Sequence, residues 1–156
     1  MPKVPTRFFF TSGAGEGVTP QNAIDSARLA AGVGNLSLLS SSVMLPPACR
    51  QCEPRQLADG TLAPAVTAAV TSEIPGEIIS AAVAVAWPTD SQRGALVMEY
   101  AACGHKEDIE AIARRMAEEG LRIRGLATRR LHSIAVQHRV QKLGCALACL
   151  VLCGDL

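Results

Sequence analysis

Aromatic side chains are nearly missing: one Trp, one Tyr and three Phe in 156 residues. A surface that stacks single-stranded bases needs more of them. An excess of charge is missing as well. Fifteen Lys and Arg against fourteen Asp and Glu leave a formal net charge of +1, so no electrostatic pull toward nucleic acid or an anionic membrane is expected. No apolar run has the length of a bilayer span. The longest, IISAAVAVAW (78–87) and CALACLVLC (145–153), suit buried strands. The start, MPKVPTRFFFTSG, carries no apolar stretch of signal-peptide length. The expectation is a cytoplasmic protein with neither a nucleic-acid nor a membrane partner.

A second Cys pair is also lacking. Cys49 and Cys52 form one C-x-x-C, CRQC, whereas a structural zinc site calls for four ligands. His105, His132 and His138 do not have zinc-finger spacing. A redox C-x-x-C opens a helix after a strand, but this one lies in a Pro-flanked loop. No metal centre is expected, and a metal or redox module on Cys49 and Cys52 is kept as the remote alternative. Cys145, Cys149 and Cys153 recur every fourth residue in an apolar segment, where free Cys packs as a small hydrophobe.

What is present suits one domain over residues 1–156. Hydrophobic residues make up 49%, enough for a core without staples. RFFFTSG (7–13) reads as a strand and GAGEG (13–17) as a Gly-rich turn, without the Lys-Ser/Thr of a phosphate-binding loop. Thr19-Pro20 starts a helix, with a hydroxyl N-cap and proline in the first turn, and Gly32 and Gly34 end it. Asp25 lies mid-helix, where a solvated face residue is the plain reading. NLSLL (35–39) begins a second strand that runs into Ser40, Ser41 and Ser42. Val43, Met44 and Leu45 follow, and Pro46-Pro47 stop regular structure. Residues 50–61 read as a loop. TLAPAVTAAVTS and EIISAAVAVAWP read as a hairpin about EIPGE.

GALVMEYAA is a further strand. Its Glu99 stands either on a solvent face or in a shielded site with raised proton affinity. HKEDIEAIARRMAEEG (105–120) is a helix with Ile109, Ile112, Ala113 and Met116 on one stripe and Gly120 as its C-cap. LRIRGLA, LHSIAVQHRV and GCALACLVLC close the chain as two or three strands, His138 reading as a packed or surface residue. Strands in runs with two helices among them point to α+β: a sandwich of largely antiparallel sheet with packed helices.

Five stretches then combine: FFFTSGAGEGVTPQNAIDSARLAAGVGN, SSVMLPP, TSEIPGEIISAAVAVAWPTD, VMEY and SIAVQHRVQKLGCA. In this order, and over nearly the whole chain, they resemble the pyruvoyl-dependent arginine decarboxylase family. The resemblance implies a self-cleaving proenzyme. An internal serine hydroxyl attacks the preceding carbonyl, the resulting ester eliminates, and the serine becomes an N-terminal pyruvoyl group. That covalent cofactor captures the substrate's α-amine and takes arginine to agmatine and carbon dioxide. The resemblance also implies a homotrimer with sites between subunits. It assigns Asp25 to the substrate guanidinium, Glu99 to proton donation, and Gly34, before Asn35, to the turn lining the substrate site.

The cleavage junction departs from the family pattern. Counted without gaps from Asn35, the family's serine pair falls on Ser42 and Val43, and its processing asparagine falls on Ser37. Valine has no hydroxyl and cannot become the pyruvoyl. A shift of one residue makes Ser41-Ser42 the pair and Ser42 the precursor, with Ser41 next in line. Two readings stay open: an arginine decarboxylase cleaved before Ser42, or an uncleaved, catalytically silent homologue.

Overall fold

The computed structural model describes residues 5–41 and 44–154. In chain order the elements begin with β1 (Arg7–Glu16), α1 (Pro20–Ala30), β2 (Ser37–Ser40), β3 (Met44–Leu45) and β4 (Arg50–Gln51). They continue with β5 (Leu62–Ser72), β6 (Ile78–Pro88), β7 (Ala95–Cys103), α2 (Lys106–Ile123), β8 (Thr128–Arg139) and β9 (Gly144–Cys153).

The strands form a five-stranded sheet, β2-β5-β9-β1-β4, and a four-stranded sheet, β3-β7-β6-β8. Pairing is antiparallel except for β1 with β4 and β2 with β5. The two sheets face each other across Phe8, Phe10, Val66, Leu150, Ile79, Val83 and Val97. α1 covers the outer face of the larger sheet through Ala23 and Ala27. α2 covers the outer face of the smaller one through Ile109, Ala113, Ala117 and Leu121. The α+β sandwich expected from the sequence is therefore a four-layer stack. β6 and β9 are buried almost end to end, which explains their unbroken apolar sequences: each has a covered layer on both sides.

Three local expectations fail, each for a packing reason. GAGEG is not a turn, because β1 continues as strand to Glu16. Its glycines face α1 at van der Waals range. A Cβ on Gly13 would stand 2.5 Å from the Ala27 carbonyl oxygen, one on Gly15 2.5 Å from Ser26 Cβ, and one on Gly17 would strike the Ala23 amide. The glycines are there to let a helix backbone lie on a strand backbone.

The hairpin between β5 and β6 does not form, since the two strands belong to different sheets. EIPGE, with Gly76 at φ +85°, turns the chain from one layer to the next. Turn residues permit either geometry, and the two apolar faces of each strand decide for separate sheets.

Gly120 does not cap α2 either. It lies inside the helix, against the Leu96 side chain that any Cβ would displace. α2 runs on to Ile123, absorbing the start of LRIRGLA, and turns at Gly125, φ +75°.

Glu16, at the end of β1, ties down the β8–β9 connection. Its carboxylate accepts from His138 Nε2 at 2.6 Å and from the backbone amides of Lys142 at 2.8 Å, Leu143 at 3.2 Å and Gln141 at 3.3 Å. Burial alone would push this carboxyl up. The hydrogen bonds from His138, Lys142 and Gln141 outweigh it and hold the pKa at about 2, against an ordinary 4.5. Gly144 leaves room for the pair, since a Cβ there would meet both side chains.

Two outcomes follow for stability. Gly15→Ala forces a methyl against a helix that cannot yield, and is expected to destabilise by ~1–3 kcal/mol in urea unfolding. Gly154→Ala, in open space, leaves the midpoint unchanged. Glu16 binds its proton more weakly folded than unfolded, so it stabilises above the unfolded carboxyl's pKa, and the benefit disappears as pH falls toward about 2. The Tm gap between wild type and Glu16→Gln is expected to be widest near neutrality, to narrow below about pH 4.3, and to close near the folded value. A gap independent of pH would show that the carboxylate charge is not the stabilising element.

Candidate active site

β2 lies parallel to β5, Ser37–Ser40 opposite Leu62–Ala65, and stops there. The Ser41 amide makes one more bond, to the Ala65 carbonyl at 3.1 Å. β5 continues to Ser72 with no strand beside it on that side among the described residues. The chain next enters the other sheet as β3, with Met44 opposite Leu96 and Leu45 opposite Ala95. Leu45 is fully buried. The serine-rich stretch is thus where the chain crosses between the two sheets.

A recess of about 430 Å³ opens at this edge. Ser40, Ser41, Thr67 and Glu99 supply its polar groups, and Val66, Val97, Met98 and Met116 its apolar walls. Glu99 stands on β7 opposite Val83, on the face that carries Ala95, Val97 and Ala101 into the intersheet core. It is exposed at the open edge, so it keeps contact with solvent while apolar neighbours strip part of its hydration. That partial burial pushes its carboxyl above the ordinary range. No ion pair among the described residues offsets the effect. A recess with several hydroxyls and one carboxyl of raised proton affinity can present nucleophilic oxygen and deliver a proton.

The other candidates from the sequence are distributed differently. Ser42 and Val43 lie outside the described residues. Ser37 is exposed at the start of β2, its amide bonded to the Thr61 carbonyl at 2.9 Å. Asp25 is exposed midway along α1, on the outside of the larger sheet, and does not line the recess. Thr19 caps that helix as its sequence implies, accepting from the Asn22 amide at 3.1 Å. Gly34 follows α1 so closely that a Cβ would sit 2.5 Å from Leu29 Cδ2. Asn35 is exposed, and its carbonyl accepts from the Gly60 amide at 2.8 Å. A single chain therefore brings Ser41 and Glu99 together but leaves Asp25, Gly34 and Asn35 elsewhere.

Ser40, Thr67 and Met116 were not singled out by sequence as site residues. Thr67 is an ordinary strand residue in sequence, and its place depends on where β2 happens to end. Met116 sits on the stripe that the helical period assigns to the core, yet it is the member of that stripe that projects into the recess. Among the described residues no group of three or more His, Cys, Asp or Glu side chains could hold a metal ion. Cys49 packs into the intersheet core and Cys52 beneath α1; burial, and after it the nearby Cys153 and Cys52, push the Cys49 thiol up to about 11. None of the described helices is long and apolar enough to cross a membrane.

Comparison with known proteins gives one answer. The family model of pyruvoyl-dependent arginine decarboxylase matches residues 7–155. A pyruvoyl-dependent arginine decarboxylase of Methanocaldococcus jannaschii is 41% identical over 150 residues, covering 96% of this chain and 91% of the relative. One from Methanothermobacter thermautotrophicus is 38% identical over 141 residues, covering 90% and 92%. One from Pyrococcus abyssi is 34% identical over 151 residues, covering 95% of each. Matched along almost its full length by the family and by these relatives, the chain belongs to the pyruvoyl-dependent arginine decarboxylase family.

Proposed function

We propose that this chain decarboxylates arginine to agmatine and carbon dioxide, using a pyruvoyl group made from Ser42 by self-cleavage. The observation that carries the reading is the shared recess: Ser41, the residue before the proposed cleavage, and the carboxyl of Glu99 line the same cavity. The residues fit such a group. Ser40, Ser41 and Thr67 line the recess beside the apolar Val66, Val97, Met98 and Met116. Ser42 is the proposed precursor because attack needs a hydroxyl on the residue after the broken bond, which Val43 lacks.

The pyruvoyl group supplies an electron sink for the electrons left when carbon dioxide departs. The chain's own residues do the rest. Glu99, held toward its protonated form by partial burial, donates the proton to the substrate's α-carbon. Asp25 receives the guanidinium, whose planar fork of donors matches a carboxylate. Gly34 and Asn35 shape the turn beside it.

Asp25 lies outside the recess, so the reading includes a homotrimer in which a neighbouring subunit brings its Asp25 to Glu99. Met116, exposed by 36%, lines the recess with apolar surface that such a neighbour would cover. A second reading rests on the ungapped register: with Val43 at the precursor position, the chain stays whole and silent.

Intact-mass spectrometry separates the two readings. Cleavage is expected to give fragments 1–41 and 42–156, the larger with a ketone in place of its terminal amine. A single full-length mass that persists through long incubation overturns the decarboxylase reading.

With cleaved protein, Asp25→Asn is expected to raise KM for arginine, at a cost of ~2–5 kcal/mol for a desolvated charge pair. Glu99→Gln is expected to lower kcat by about 10²–10⁴-fold with KM little changed. Steady-state agmatine release measures both, and equal effects on kcat and KM from the two variants would remove this division of roles.

A further inference from the structure

Cys52 and Cys153 meet at the end of the larger sheet opposite to any role in the recess. Cys52 follows β4, and its amide bonds to the Phe8 carbonyl at 2.8 Å. Cys153 closes β9 opposite Arg7. The two residues thus flank the start of β1 from either side. Both pack against the layer beneath α1, and their Sγ atoms are 3.9 Å apart. The C-x-x-C partner, Cys49, turns into the intersheet core instead.

The two thiols are free, and their Sγ separation of 3.9 Å is well beyond the about 2.05 Å of a disulfide bond. A bridging ion suits the pair better. Two metal–sulfur bonds of about 2.3 Å span at most about 4.6 Å, and the observed sulfur separation lies within that reach. Zinc would require four ligands, and no group of three exists among the described residues. A soft monovalent ion is satisfied by two thiolates, the ligands that select Cu(I).

The surroundings agree with this. Cys52 is half-buried and lines a second recess of about 430 Å³ with Phe10, Gln51, Glu53 and Pro54. That recess shares no lining residue with the one at Glu99. The guanidinium groups of Arg55 and Arg7 lie within electrostatic reach of Cys153. Arg55 Nη1 is held there by the Gly154 carbonyl at 3.2 Å.

We propose that Cys52 and Cys153 form a two-thiolate clamp for a soft monovalent metal ion of the Cu(I) class. Binding involves no redox change: each thiol releases its proton to solvent as its sulfur bonds the ion. The resulting complex carries one negative charge beside the two guanidinium groups. In the absence of an ion, burial pushes the Cys153 thiol up to about 11 and keeps it protonated.

The test is an anaerobic titration of the purified full chain with Cu(I) in competition with a colorimetric Cu(I) chelator. Wild type is expected to retain one equivalent per chain. Cys52→Ser and Cys153→Ser should each lose it, and Cys103→Ser, an exposed thiol on the other sheet, should keep it. Alkylation footprinting of wild type gives a readout that needs no variant to fold: Cu(I) is expected to protect Cys52 and Cys153 and leave Cys103 reactive. No retained equivalent, retention by both clamp variants, or protection of Cys103 in their place would overturn the proposal. Neither readout depends on decarboxylation.

Discussion

The close approach of α1 to β1 is the constraint on which the larger sheet depends. Gly13 and Gly15 on the strand and Gly17 just past it leave no Cβ where the helix backbone comes closest, while Phe9 and Thr11 meet the helix from the same face with side chains. α1 is therefore fixed in height and rotation, with Ala23 and Ala27 inward and Asp25 outward. The same strand carries Phe8 and Phe10 into the intersheet core on its other face. It ends in Glu16, whose hydrogen bonds set the entry to β9. One strand thus registers a helix, a core and a turn.

The second organising feature is a strand that stops short. β2 covers β5 for four residues and then leaves for the other sheet as β3. The uncovered edge exposes Thr67 and lets Glu99, set in an otherwise apolar row, reach a recess instead of the closed core. Apolar walls raise the proton affinity of Glu99 without sealing it from water. An ionised carboxylate there carries an uncompensated desolvation cost, the kind of local instability that functional sites retain. The exposed Met116 in the same recess is a further departure from a well-sealed surface.

The cysteines illustrate how little a spacing says without its sheet. Cys49 and Cys52 look like a pair in sequence but enter different layers, while Cys52 meets a residue 101 positions away. Cys145, Cys149 and Cys153 share the α1-side face of β9. Only the last of them reaches the sheet end, where a second sulfur stands on the far side of β1.

The sequence by itself determined the α+β class, the two helices, most of the strands and the family. Those signals are local periodicities and short motifs, and the order of the motifs along the chain survives without any knowledge of contacts. The N-cap at Thr19, the apolar stripe of α2 and the doubly buried character of β6 and β9 were legible for the same reason. Only tertiary structure decided that GAGEG is strand and not turn, that β5 and β6 lie in different sheets, and that Gly120 serves helix packing and not termination. It alone brought Ser41, Thr67 and Glu99 to one recess and left Asp25 outside it. A glycine or a turn is compatible with several backbone paths, and which path is taken depends on what packs against it from elements remote in sequence.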